Sequence, residues 1–91
     1  MNEPYELRVY GAARRALDER LPLRVARAVW EFCSGAFCAD PHRVGAPLGR
    51  ELAGYFSARR GAYRVIYRID EEARLVHLVR IEHRADVVRQ R

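Results

Sequence analysis

The residues of this chain best suited to chemistry are arginines crowded around one predicted turn. The stretch Ser57-Ala58-Arg59-Arg60-Gly61-Ala62-Tyr63-Arg64-Val65-Ile66-Tyr67 carries Arg59, Arg60 and Arg64. A guanidinium stays protonated and presents a rigid fork of donors that matches phosphate or carboxylate oxygens. It can grip an anion or steady a developing negative charge, but it does not shuttle protons. Period-2 alternation sends Tyr63, Val65, Tyr67 and Ile69 to one face of a strand, and Arg64, Ile66, Arg68 and Asp70 to the other. Groups carried on sheet backbone are held more rigidly than groups on a loop, as a phosphate site requires. A solvated, charged sheet face has the same spacing, and spacing alone leaves both readings open.

The elements that must position these arginines follow from pattern. Two strand-forming runs, residues 55–59 and 63–69, flank Arg60-Gly61-Ala62, and Gly61 can take a positive φ without steric cost, so the segment reads as a hairpin. Upstream, Tyr5-Glu6-Leu7-Arg8-Val9 alternates as a half-buried first strand. Residues 12–20 read as a short helix with Ala13, Leu17 and Leu21 on one stripe, ended by Pro22. A second helix over residues 23–33 carries Val25, Val29, Phe32 and Ala36 on its apolar stripe, and Trp30 is expected to anchor the core beside it. Residues 41–49 hold two Pro and two Gly and read as a surface loop with His42 and Arg43 exposed. A turn at Asp70-Glu71-Glu72-Ala73 leads to a last strand over residues 75–82, whose buried face the pattern does not reveal, and His77 is expected to be packed rather than catalytic. Residues 83–91 alternate too weakly for assignment. The order β-α-α-β-β-β predicts an α+β fold: a four-stranded, mainly antiparallel sheet with a helical hairpin on one face and an open, Arg-rich face opposite.

Composition narrows the partners. Ninety-one residues, 49% of them hydrophobic, predict one folded domain spanning residues 1–91. No run approaches the ~18 apolar residues of a membrane span, and Met1-Asn2-Glu3-Pro4 does not resemble a signal peptide, so the expected compartment is the cytoplasm and no membrane partner is expected. Cys33 and Cys38 match neither a redox pair nor a zinc set, and both are expected to be free thiols, with no metal and no cofactor. The net charge is +5, and every basic residue of the Lys/Arg class is Arg. Residues 59–91 hold nine Arg against five acidic residues, net +4, while residues 1–58 hold eight against seven, net +1. The positive field therefore belongs to the strand-rich third, which favours a phosphate-bearing partner.

Pro47-Leu48, Leu52-x-Gly54, Ser57-x-Arg59-x-Gly61-x-Tyr63-Arg64-Val65-x-Tyr67 and the closing His83-Arg84-x-Asp86-Val87 resemble the RelE/ParE superfamily of bacterial toxins, its RelE branch more closely than its gyrase-directed ParE branch. The resemblance implies the toxin of a type II toxin–antitoxin pair. Such a toxin is a metal-independent endoribonuclease that enters the ribosomal A site, contacts mRNA and ribosomal RNA, and is held in check by a cognate antitoxin. It drives attack of the ribose 2′-OH on the adjacent phosphate.

That reaction needs a base, cations for the phosphorane charge and an acid for the leaving oxygen. By the resemblance, Arg64 matches the central arginine and would face the transition-state phosphate. Arg59 would bind substrate phosphate, with Arg60, Arg68 and Arg80 as further candidates, and Arg84 could support either role. His83, the one histidine in the matched pattern, is the candidate acid or base. Glu51 is a second candidate base. Where the family commonly reads Asp-Val-Tyr-Arg, this chain has Asp86-Val87-Val88-Arg89, so Val88 supplies no hydroxyl. The alternatives are a gyrase inhibitor of ParE type and a catalytically weakened homologue that mainly binds antitoxin.

Overall fold

A computed structural model describes residues 4–83. In chain order it contains β1 (Glu6–Val9), α1 (Gly11–Arg15), α2 (Leu23–Ser34), the short helices α3 (Ala36–Ala39) and α4 (Pro41–Val44), β2 (Ala46–Pro47), β3 (Tyr55–Arg60), β4 (Tyr63–Asp70) and β5 (Leu75–His83). The helix that the Ala13, Leu17, Leu21 stripe predicts over residues 12–20 begins at Gly11 and turns into a π-helical segment, Ala16–Arg20, closed by Leu21 N–H donating to the Ala16 carbonyl at 2.9 Å. Leu21 is extended (ψ 142°), as the residue before a proline must be, and α2 starts at once.

The five strands form one sheet in the order β1-β5-β4-β3-β2. The expected count of four misses β2, a two-residue edge strand inside the stretch read as a loop; α4 also lies in that stretch. Pro41 explains both: its fixed φ suits the first turn of a helix, so the chain coils once before Ala46 pairs with Ser57. The sheet is antiparallel except for β1, which pairs parallel with β5. The β3–β4 hairpin forms as predicted, with Gly61 at φ +60° in its turn.

Helices cover one face. Tyr63, Val65 and Tyr67 of β4, with Val76, Leu78 and Ile81 of β5, pack beneath Ala13, Val29, Phe32, Cys33 and Phe37. Tyr67 is fully buried; its hydroxyl donates to the Pro41 carbonyl at 2.6 Å, and burial pushes its pKa up to about 12. Phe37 meets its ring edge-on at 4.3 Å and Phe56 stacks at 5.5 Å. Gly45 lets the chain pass here: a Cβ would overlap the Tyr67 hydroxyl and lie 2.8 Å from the Ser57 carbonyl. Cys33 and Cys38 are free and buried, and burial pushes the Cys33 thiol up to about 12.

Trp30 is not a core anchor. It is 48% exposed, and Leu23 beside it is 77% exposed. The apolar surface of α2 is wider than the sheet can cover: Val25, Val29 and Phe32 face inward, while Leu23, Ala26 and Trp30, at i, i+3 and i+7, form a second stripe rotated by about one residue.

Candidate functional site

The open face of the sheet is set by register. Arg59 pairs with Arg64, and Arg64 with Glu82, giving one row across β3, β4 and β5 at the hairpin end. Ser57, Ile66 and Arg80 form the next row, and Tyr55, Arg68, His77 and Arg8 the one after a break. Within the first two rows Glu82 bridges two guanidiniums. Its Oε1 lies 4.0 Å from Arg64 Nε and its Oε2 3.5 Å from Arg80 Nε. Glu82 is the most covered of the three, its side chain 27% exposed against 43% for Arg64 and 57% for Arg80. These are loose ion pairs rather than tight hydrogen bonds, so both arginines keep donors for an incoming anion.

The break is a bulge. Ile66 pairs with Arg80 and Tyr67 with Leu78, which leaves Val79 as an extra residue in β5. Before it, Val76 and Leu78 face the core; after it, Ile81 does. The inversion has a chemical consequence: Arg80 and Glu82 reach the open face with Arg64, whereas His83, opposite Tyr63, turns to the helix side.

His83 instead lines a cleft of about 570 Å³ between α2 and the hairpin tip, with Arg60, Arg24, Glu31 and Phe32. Arg60 lies with its guanidinium 5.0 Å from the Phe32 ring centroid. The structure thus divides the sequence candidates. Arg59, Arg64 and Arg80 share one face with Arg68 farther along it, while Arg60 and His83 share the cleft. Glu51 is exposed on a 3-10 turn that leads into the Tyr55 end of β3, away from Arg59 at its other end. Arg84, Asp86, Val87 and Val88 lie outside the described residues.

Sequence reasoning passed over three groups. Glu82 carried no signal until register put it beside Arg64. Tyr10 and His77 form a pair on the open face, Tyr10 Oη 2.7 Å from His77 Nδ1, with His77 only 8% exposed. At the far end, exposed His42 pairs with Glu71, whose carboxylate also accepts from the Tyr5 hydroxyl at 2.8 Å. Hydrogen bonds from His42 and then Tyr5 hold the Glu71 carboxyl below the usual carboxylate range. This triad ties α4, the β4–β5 turn and the N-terminal strand together. Among the described residues no three His, Cys, Asp or Glu side chains are placed to hold a metal ion, and no helix is long and apolar enough to cross a membrane.

A second concavity, of about 440 Å³, runs beside α2. Val9, Leu17, Leu23, Ala26 and Trp30 give it apolar walls, with Arg14, Arg27 and Asp18 at its rim.

Comparison with known proteins yields a consistent set of matches. The family model described as the ParE toxin of type II toxin–antitoxin system, parDE, matches residues 12–88. Toxin RelG of Mycobacterium tuberculosis is 53% identical over 87 residues, covering 96% of this chain and 99% of the relative. Toxin RelE of the same organism is 42% identical over 84 residues, covering 92% and 86%. The crystal structure of the toxin–antitoxin complex RelBE2 from M. tuberculosis superposes with a TM-score of 0.87 at 52% identity, covering 90% of this chain and all (100%) of that one. The archaeal RelE–RelB complex from Pyrococcus horikoshii shares the fold, with a TM-score of 0.68 at 21% identity over 90% of this chain and 97% of that one.

Proposed function

We propose, from the premise that this chain belongs to the RelE/ParE superfamily of type II toxin–antitoxin toxins, that it halts translation as an endoribonuclease cutting mRNA in the ribosomal A site. The observation that carries this reading is the Arg59–Arg64–Arg80 cluster on rigid strands of an uncovered sheet face. Three guanidiniums there match the needs of a phosphate that gains charge as the ribose 2′-OH attacks it. Arg64, in the central strand β4, takes the transition-state charge. Arg59 and Arg80 hold the substrate phosphate, with Arg68 contacting RNA farther along the same face; Arg60, in the helix-side cleft against Phe32, is left out of this contact. Arg84 completes the set, whereas His83 lines the cleft on the helix side and is not assigned the proton transfer at the Arg64 phosphate. The protein acts in the cytoplasm, where mRNA, ribosomal RNA and a cognate antitoxin are its partners. The antitoxin's seat is the Leu23–Trp30 groove, whose rim arginines suit an amphipathic segment with acidic flanks.

The test is to add purified protein to programmed ribosomes and map mRNA ends. Cutting is expected from the wild type and absent with Arg64→Ala; cutting that survives Arg64→Ala refutes the assignment. One observation favours a second reading. The Val79 bulge turns His83 away from Arg64, as it would in a weakened nuclease that mainly binds antitoxin. That reading expects tight antitoxin binding with no mRNA cutting, and Val88→Tyr to restore some. Inhibited gyrase supercoiling without mRNA cutting would instead favour ParE-type activity.

A further inference from the structure

Beyond the Arg64 cluster, the open face carries a feature that neither core packing nor helix capping accounts for. Tyr10 is the N-cap of α1, a position that favours Ser, Thr, Asp or Asn, and its side chain makes no capping bond. The ring instead lies over the open face at 44% exposure, pinned through its hydroxyl to His77 Nδ1 at 2.7 Å, with ring centroids 5.3 Å apart. His77 is held in turn between its cross-strand neighbours Arg8 on β1 and Arg68 on β4, both exposed. A half-exposed aromatic ring fixed by a buried polar anchor and flanked by two guanidiniums is what stacking a base and holding its phosphates requires. Arg68 lies four residues from Arg64 along β4, so this row is about 13 Å from the Arg64 row. The next row, Glu6–Leu75–Asp70, is acidic at both ends and closes the cationic track there.

We propose that Tyr10, Arg8 and Arg68, with His77 as the residue that positions Tyr10, form a second subsite for single-stranded RNA on the open face. A base stacks on Tyr10 while Arg8 and Arg68 take the flanking phosphates. The subsite rests on the reading of this face as an RNA-cutting surface and adds to it a path: the strand runs from the Arg64 row toward β1.

The test uses the full chain and labelled, 2′-O-methylated oligoribonucleotides that cannot be cut, a trimer and a nonamer. Wild type should bind the nonamer more tightly than the trimer. Tyr10→Ala should weaken the nonamer by about tenfold, the scale of one stacked base, and leave the trimer unchanged. Tyr10→Phe, which keeps the ring, should retain most of the nonamer affinity. Arg68→Ala should lower the nonamer's log–log salt slope by about 0.7 for each phosphate it no longer neutralises. Equal nonamer binding by wild type and Tyr10→Ala, or equal loss on both probes, overturns the subsite. If Arg64→Ala weakens both probes while the Tyr10 and Arg68 variants weaken neither, the subsite alone fails. If Arg64→Ala weakens neither, the RNA-cutting reading fails and takes the subsite with it.

Discussion

Replacing Glu82 by Gln removes the carboxylate that lies 4.0 Å from Arg64 Nε and 3.5 Å from Arg80 Nε, and keeps the side chain's size. A phosphate held by those two guanidiniums would come within about 6 Å of that carboxylate, where repulsion between unit charges is about 0.7 kcal/mol at the dielectric of water and about 1.4 kcal/mol at half that value. The face is open and all three side chains are at least partly exposed, so water rather than a dry interior screens this repulsion. The Glu82→Gln variant is therefore expected to bind a non-cleavable RNA about three- to tenfold more tightly at low salt. The gain should shrink as ionic strength rises and the Debye length falls below ~8 Å. Fluorescence anisotropy across a salt series measures both. Weaker binding by Glu82→Gln would refute the reasoning, because it would mean that the carboxylate aligns the arginines rather than competing with their ligand.

Other expectations follow from packing and titration. Tyr67→Phe keeps the buried ring but leaves the Pro41 carbonyl without its 2.6 Å donor, and should cost about 1–3 kcal/mol in urea unfolding, an unchanged midpoint counting against the bond. Leu23→Asp, at a position 77% exposed, should leave that midpoint nearly unchanged and abolish co-purification with the antitoxin; retained co-purification would place the antitoxin elsewhere. Because the Glu71 carboxyl is lowered by its bonds from His42 and Tyr5, its stabilising contribution is present above the unfolded-state value and is lost as pH falls through the folded one. Glu71→Gln should therefore flatten the acid limb of a stability–pH profile, and an unaltered limb would contradict the triad.

Much of the scaffold was legible because periodicity writes burial directly. Tyr63, Val65 and Tyr67 went to the core as their alternation required, and Gly61 marked the turn. What pattern could not supply was relative register. Strict alternation from His77 would carry Val79, Ile81 and His83 to the open face, and only the extra residue in β5 reverses this. A bulge is chosen by pairing with β4, to which the local sequence is blind. Trp30 failed for a related reason. A helix stripe tells which residues share a side, but not how much of a broad apolar side the sheet can shelter. The Tyr5–Glu71 bond joins residues 66 positions apart, and no local signal anticipates it.

The parallel pairing of Glu6–Val9 with residues 75–78 has a consequence for how the protein is made. Among the described residues β1 has no sheet neighbour other than β5, so it must wait, unpartnered, until residues 75–78 emerge during synthesis. Arg80 and Glu82 sit on that same strand, so the row they form with Arg64 is assembled only once β5 has been made. A ribosome making this protein therefore carries no closed sheet until residues 75–83 have been added, and an antitoxin already present can meet the nascent product before then.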